Sequence, residues 1–88
     1  MGKYVGETDV YAREAGFTQK LAYVAAGNGI GQIEYQGLSY PGTVTSSAGW
    51  QIKKFVYDSN NRMTDIQWAG GTDAYTSIWD NRAALSYS

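Results

Sequence analysis

The segment Trp50–Tyr57, which reads WQIKKFVY, decides the fold because it is the clearest strand signal in the chain. Successive side chains of a strand point to opposite faces, so Trp50, Ile52 and Val56 share one face and Phe55 lies on the other. Aromatic and β-branched side chains such as these are enriched in strands. The segment is therefore predicted to be a strand with apolar side chains on both faces.

The residues that follow predict that this strand turns back on itself. Asp58–Arg62 reads DSNNR, and Asn and Asp accept the left-handed backbone that tight hairpin loops need. Met63–Trp68 then alternates again, with Thr64, Ile66 and Trp68 on one face. The two strands are expected to form an antiparallel hairpin.

Shorter signals flank the hairpin on both sides. Gln32–Tyr35 predicts a short strand, and Tyr40–Thr43 predicts a turn because Pro41 and Gly42 suit its two central positions. Asp73 is expected to cap a short helical turn, and Ala83–Tyr87 is expected to be a last strand. The fold class predicted is mainly β, a small antiparallel β-sandwich or barrel with one short helical turn and an extended N-terminal arm.

The predicted core consists of the apolar residues of these elements. The three Trp have two interpretations, as core residues or as an exposed stacking platform for sugars or a protein partner, and the core interpretation is favoured. The predicted core residues are Ile33, Tyr35, Trp50, Ile52, Val56, Ile66, Trp68, Ile78, Trp79 and Leu85.

Residues 1–32 differ in character and are predicted to form an N-terminal arm or irregular segment, with the β domain at residues 33–88. Within the arm, Thr18–Val24 has the pattern of a strand, and the alternative is a helical turn around Val10–Ala15. Ala25–Gly31 is expected to be a flexible connector. Eight Tyr exceed what a small core needs, and exposed Tyr is enriched at interfaces. The candidate assembly contacts are Tyr4, Val5, Val10, Tyr11, Phe17, Leu21, Tyr23 and Tyr40.

The composition argues against several classes of function. The 88 residues contain no Cys and no His, so disulfides, thiolate metal sites and the commonest general base are excluded. With seven Lys and Arg against eight Asp and Glu, the chain lacks the clustered basic surface that nucleic-acid binding needs. No apolar run reaches the length of a membrane span. We expect no enzyme activity, no catalytic residue, no metal, no cofactor, and no nucleic-acid or membrane partner.

The order and spacing of several short segments between Glu34 and Tyr87 carry a family resemblance. The segments are EYQG at 34–37, PGT at 41–43, TS at 45–46, WQIKK at 50–54, YD at 57–58, IQWA at 66–69, IWDNR at 78–82 and LSY at 85–87. The pattern resembles a group of small proteins and domains encoded among the structural genes of tailed bacteriophages. Gly70-Gly71 and Asn81 depart from it, because acidic residues are expected at those positions.

The resemblance implies a virion structural protein, made in the host cytoplasm and located in the virion. Within that role we expect a capsid decoration or cementing component, or a similar accessory protein, attached through its N-terminal arm. Its expected partners are other virion proteins of the capsid, neck or tail, and further copies of itself in a homo-oligomer. The alternative is a receptor- or glycan-recognition module displayed on the neck or tail fibre, with a host-surface glycan as partner.

Overall fold

The computed structural model describes residues 17–88, and these form five strands and one short helix. The strands are β1 (Thr18–Tyr23), β2 (Ile33–Ser39), β3 (Ala48–Tyr57), β4 (Met63–Trp68) and β5 (Ser77–Ile78). A 3-10 helix follows at Trp79–Ala84. Four of the predicted assembly contacts, Tyr4, Val5, Val10 and Tyr11, lie outside the described residues.

The strands join in one antiparallel sheet whose order is β1-β2-β3-β4. From β1 to β4 each strand pairs with the next along the chain, as expected for strands joined by short connections. The first residues of β3 also pair with β5, so β3 lies at the centre of the sheet. The prediction of a mainly β, antiparallel fold with one short helical turn is confirmed, and the pairing specifies a meander.

The predicted hairpin of β3 and β4 is present with Met63–Trp68 as its second strand. One detail differs, because the register shifts between Val56 and Tyr57. Such an irregularity interrupts the alternation of faces, and here Tyr57 is buried while Val56 is only half-buried. Tyr57 was therefore missed as a core residue.

The boundary between arm and domain at residues 32 and 33 is wrong. β1 pairs with β2 from Thr18 opposite Ser39 to Tyr23 opposite Ile33, so residues from Thr18 onward belong to the sheet. The strand predicted over Thr18–Val24 is present as Thr18–Tyr23, whereas the helical turn considered at Val10–Ala15 lies outside the described residues. The turn-rich residues 24–32 are the connection between the two strands.

One face of the sheet, the covered face, packs against the C-terminal segment. Its central residues are Tyr35, Gly37, Trp50 and Ile52, and Trp50 is completely buried. The ring of Trp79 from the 3-10 helix lies 5.9 Å from the ring of Trp50. Gly37 is required at this contact, because a Cβ there would lie 2.6 Å from the Trp79 ring.

The buried polar atoms of the covered face find partners in nearby loops. The indole N–H of Trp50 donates to the carbonyl of Val44 at 3.1 Å. Thr45 anchors the 3-10 helix, since its carbonyl accepts from the Asp80 amide and its hydroxyl donates to the Asp80 carboxylate. These bonds join the β2–β3 loop to the helix and keep it over the sheet.

The ten predicted core residues fall into three groups. Tyr35, Trp50, Ile52 and Trp79 are buried, and Leu85 packs against them half-buried. Ile33, Val56, Trp68 and Ile78 are half-buried. Ile66 was wrong, because 52% of it is exposed on the other face of the sheet.

The C-terminal elements also differ in position from the prediction. The helical turn begins at Trp79 rather than after Asp73, and Ile78 is the last residue of β5. Ala83 and Ala84 end the helix, and Tyr87 makes a single bridge with Ala69 instead of a full strand. No helical turn begins after Asp73, because Ser77 and Ile78 pair with β3 and this pairing prevails over the local preference.

Candidate functional site

The described residues present two surfaces that can bind a partner, and the remaining predicted assembly contacts are divided between them. Tyr23 lies at the end of β1 where the β1–β2 and β3–β4 loops meet, which we call the loop end. Leu21 lies on the face of the sheet opposite the covered face, which we call the open face. Phe17 and Tyr40 lie at the far end of the same strands and contact each other.

The loop end is built around Asn61, whose side chain and backbone bind the β1–β2 loop. The Asn61 side-chain oxygen accepts from the Gly29 amide, and its backbone carbonyl accepts from the Gln32 side chain, each at 2.8 Å. Asn61 has a positive φ of 63°, a conformation that Asn tolerates better than most residues. Its hydrogen bonds span two loops about 30 residues apart in sequence, so they hold the loops as one unit.

Tyr57 also contacts the β1–β2 loop. Its ring lies against Gly29, where a Cβ would approach within 2.4 Å of the ring. Its hydroxyl donates to the Ile33 carbonyl at 2.7 Å. These contacts hold the β1–β2 loop, which was predicted to be a flexible connector, against the sheet.

A compact turn completes the loop end. The Asp58 carboxylate accepts the backbone amides of Asn60 and Arg62 at 2.9 Å, and the Arg62 side chain at 3.1 Å. The Arg62 backbone amide, with smaller contributions from the Asn60 amide and the Arg62 side chain, lowers the pKa of Asp58. Asp58 is therefore a turn residue that organises the predicted Asp58–Arg62 hairpin loop.

Three large apolar side chains are exposed at the loop end. Tyr23 is 57% exposed, Ile30 59% and Met63 48%, and they stand on β1, the β1–β2 loop and β4. Apolar side chains scattered singly are ordinary on a surface, but several on one rigid end are typical of an interaction site. Ile30 and Met63 were not among the predicted contacts.

The open face consists of residues that the strand register places in rows. Gln19, Leu38 and Gln51 form one row, and Leu21, Gln36, Lys53 and Trp68 form the next. A third pair, Phe55 opposite Ile66, lies beyond them. Directly opposite residues of paired strands share a face, so these side chains form one continuous surface. None of them is fully buried by the described residues.

The amides of the open face are held in place by hydrogen bonds. The Gln36 amide nitrogen donates to the Gln19 side-chain oxygen at 2.8 Å. The Gln51 amide nitrogen donates to the Asp73 carbonyl, also at 2.8 Å, which fixes the β4–β5 loop at the margin of the face. Each amide keeps further donor and acceptor positions for a ligand.

Aromatic rings stand at two margins of this surface. Trp68 lines an open depression of about 370 Å³ together with Gly71, Thr72 and Asp73, and the Lys53 ammonium lies 5.2 Å from the centre of the Trp68 ring. At the other margin, Phe17, Tyr40 and Tyr75 form a triangle with ring centres 5.1 to 5.9 Å apart. Tyr75 belongs to the same loop as Asp73, so the loop connects both margins.

The remaining charged cluster lies on the covered face and is structural. Lys54 and Arg82 each lie within about 6 Å of the Tyr35 ring, and the Tyr87 hydroxyl donates to the Arg82 carbonyl. Burial raises the pKa of Tyr35 and of Tyr87, with a smaller contribution from the neighbouring Glu34 carboxylate. These groups pack the C-terminal segment against the sheet.

Two searches for other kinds of site gave negative results over residues 17–88. In this range no group of three or more acidic side chains is close enough together to hold a metal ion. Among the helices that the structure describes, none has the length and hydropathy needed to cross a membrane.

In comparisons with protein-family models, with curated proteins and with solved structures, no match to this chain was found. The resemblance to phage structural proteins therefore stays a prediction.

The sequence identified parts of these surfaces but not their arrangement. The face shared by Ile66 and Trp68 was predicted from alternation, whereas the rows of Gln side chains across three strands need the register. Asn61 was predicted to lie in a hairpin loop and Gly29 in a flexible connector, but nothing local indicates that they bind each other. Their contact depends on the β1–β2 pairing, which brings two distant loops to one end of the sheet.

Proposed function

We propose that this protein is an accessory structural component of a tailed-bacteriophage particle, of the capsid-decoration or cementing kind. It acts by binding rather than by catalysis, is present in several copies, and has other virion proteins of the capsid, neck or tail as partners. The resemblance of residues 34–88 to phage structural proteins supports the class. The absence of Cys and His from the sequence supports a role without catalysis.

The observation that carries the proposal furthest is the loop end. Asn61 and Tyr57 fix its two loops, so Tyr23, Ile30 and Met63 are presented without a large loss of loop entropy on binding. A protein held permanently on a particle needs apolar contacts of this kind, since obligate interfaces are more hydrophobic than transient ones. The proposed attachment surface within the described residues is therefore the loop end, and attachment through the N-terminal arm stays a further prediction.

The first test is whether the protein is part of the particle. Particles of a tailed phage whose genome encodes this chain would be purified on a density gradient and analysed by quantitative mass spectrometry. The protein should co-purify in a fixed ratio to the major capsid or tail protein. Its absence from purified particles, with abundant protein in the infected cell, would overturn the proposal.

The second test compares two exposed aliphatic residues at opposite ends of the sheet. Ile30 at the loop end and Val44 in the β2–β3 loop are each 59% exposed, so they make a matched pair. Ile30→Ser should reduce occupancy on the particle at least about tenfold, as expected for an interface anchor. Val44→Ser should leave occupancy unchanged, and equal effects of the two would contradict attachment by the loop end.

A further inference from the structure

We infer that the open face is a binding site for a neutral oligosaccharide. The inference does not rest on the proposed role in a phage particle, because it concerns a different surface from the loop end. It depends on three observations, which are the amide rows, the aromatic margins and the depression beside Trp68.

The first observation is the set of amide side chains on the face. Gln19, Gln36 and Gln51 occupy adjacent strands, and two of their amides are already oriented by hydrogen bonds at 2.8 Å. Leu38 lies between Gln19 and Gln51 in one row and Leu21 lies beside Gln36 in the next, so amide and apolar side chains alternate across the face. Primary amides both donate and accept, and therefore match the hydroxyl groups of a sugar.

The second observation is the position of the aromatic rings. Trp68 stands at one margin, and Phe17, Tyr40 and Tyr75 stand at the other, with the Gln51 side chain and the β4–β5 loop between them. A pyranose ring has an apolar face of C–H groups that packs against an aromatic ring, while its hydroxyls extend sideways to polar partners. An extended chain of sugars would use both kinds of contact in turn.

The third observation is the open depression of about 370 Å³ that Trp68 lines with Thr72 and Asp73. Its lining residues combine a Trp with a Thr and an Asp, the residue types that bind one sugar unit on its face and its edge. Asp73 is the one charged residue among those that line the depression, and the Lys53 ammonium lies 5.2 Å from the centre of the Trp68 ring. This balance favours a neutral sugar over an acidic one.

The test is titration of the full 88-residue protein with defined oligosaccharides, followed by calorimetry and tryptophan fluorescence. The neutral probes are hexamers of β-1,4-glucose, α-1,4-glucose, β-1,3-glucose, xylose, mannose and N-acetylglucosamine, and the acidic probe is a hyaluronan hexamer. At least one neutral hexamer should bind and should change the Trp fluorescence. No binding by any neutral hexamer at millimolar concentration, or binding of hyaluronan alone, would overturn the inference.

Substitutions locate the binding. Trp68→Ala and Gln36→Ala should each weaken binding about tenfold or more, since each removes a central contact. Tyr23→Ala removes an exposed aromatic ring at the loop end and should leave affinity unchanged. The urea midpoint of each variant shows whether it is folded, and Gln36→Ala preserves the test if Trp68→Ala does not fold.

Two outcomes would contradict sugar binding at the open face. Unchanged affinity in both Trp68→Ala and Gln36→Ala would place the sugar elsewhere. A dimer in sedimentation analysis that Trp68→Ala converts to a monomer would make the open face an interface between copies of the chain. A loss of sugar binding without a loss of particle occupancy leaves the proposed virion role intact, so the two proposals fail separately.

Discussion

On the covered face Trp50 is completely buried beneath Trp79, whereas on the open face Trp68 is half-buried and lines a depression. Both residues come from the same hairpin, and both share a face with an Ile in the sequence pattern. The covered face receives the 3-10 helix and the C-terminal residues Leu85 and Tyr87. The open face receives no comparable element from residues 17–88.

The comparison teaches that the kind of side chain does not decide burial in so small a sheet. β3 carries apolar side chains on both faces, and one C-terminal segment can cover only one of them. The polar residues also distinguish the two faces, because Gln side chains occur on three adjacent strands of the open face. On the covered face β2 carries Gly37, whose lack of a side chain leaves space for the ring of Trp79.

The two faces are expected to differ most in how much the free energy of unfolding falls when their Trp residues are replaced. Trp50→Ala should lower the free energy of unfolding by about 3–5 kcal/mol, since it leaves a cavity in the core and removes the partner of Trp79. Trp68→Ala should cost about 1 kcal/mol, because its side chain is already half solvated. Urea unfolding followed by circular dichroism gives both values, and similar losses in the two variants would contradict the distinction between the faces.

The second comparison uses neighbouring residues of β2. Gly37→Ala should cost about 1–3 kcal/mol, because its Cβ would lie 2.6 Å from the Trp79 ring and 3.1 Å from the Trp50 ring. Gln36→Ala changes the adjacent residue on the open face and should stay within about 0.5 kcal/mol of the unmodified protein. Thermal and urea unfolding of the pair would show whether the covering helix is in close contact with β2. If the Gly37→Ala protein were as stable as the Gln36→Ala protein, the helix would not be in close contact with β2.

Local signals were sufficient for the hairpin of β3 and β4. Alternation in Trp50–Tyr57, the Asn and Asp of the loop, and alternation in Met63–Trp68 each depend on a few neighbouring residues. The mainly β class followed from the same signals. The strand at Thr18–Tyr23 was also visible in its alternation, but its pairing with β2 was not, and the domain boundary was consequently drawn too late.

Long-range features could not be read in the same way. Ile66 was expected in the core because it alternates correctly, yet its face is the one that the C-terminal segment does not cover. Tyr57 was missed because the register shift beside Val56 cannot be seen in a hydrophobic pattern. The loop end depends on the contact of Gly29 with Asn61, which follows from the registers of two hairpins together.

The third prediction concerns this contact at the loop end. Asn61→Gly keeps the positive φ but removes the oxygen that accepts the Gly29 amide, so it should cost about 1 kcal/mol. Asn61→Ala adds the strain of a left-handed residue and should cost about 1 kcal/mol more. Asn61→Asp keeps both the oxygen and the tolerance for positive φ and serves as the control. Hydrogen exchange of the Gly29 amide should accelerate in the Gly and Ala variants only; equal protection in all three would disprove the bond.

The smallest expected effect is a pH dependence confined to the covered face. Burial raises the pKa of Tyr35 and Tyr87 in the folded protein, so as the pH rises the unfolded chain loses these phenolic protons first. Their contribution to stability is therefore complete below the unfolded tyrosine pKa of about 10 and is lost as the pH rises toward the folded values.

Tyr87→Phe removes one of these groups together with its hydrogen bond to the Arg82 carbonyl. The variant should be less stable at neutral pH, and its deficit should shrink as the pH passes about 10, because only the unmodified protein then loses the contribution of Tyr87. Urea midpoints measured across that range test the trend against Tyr23→Phe, which changes an exposed Tyr at the loop end. A deficit that stays constant with pH would show that Tyr87 ionises as easily in the folded protein as in the unfolded chain.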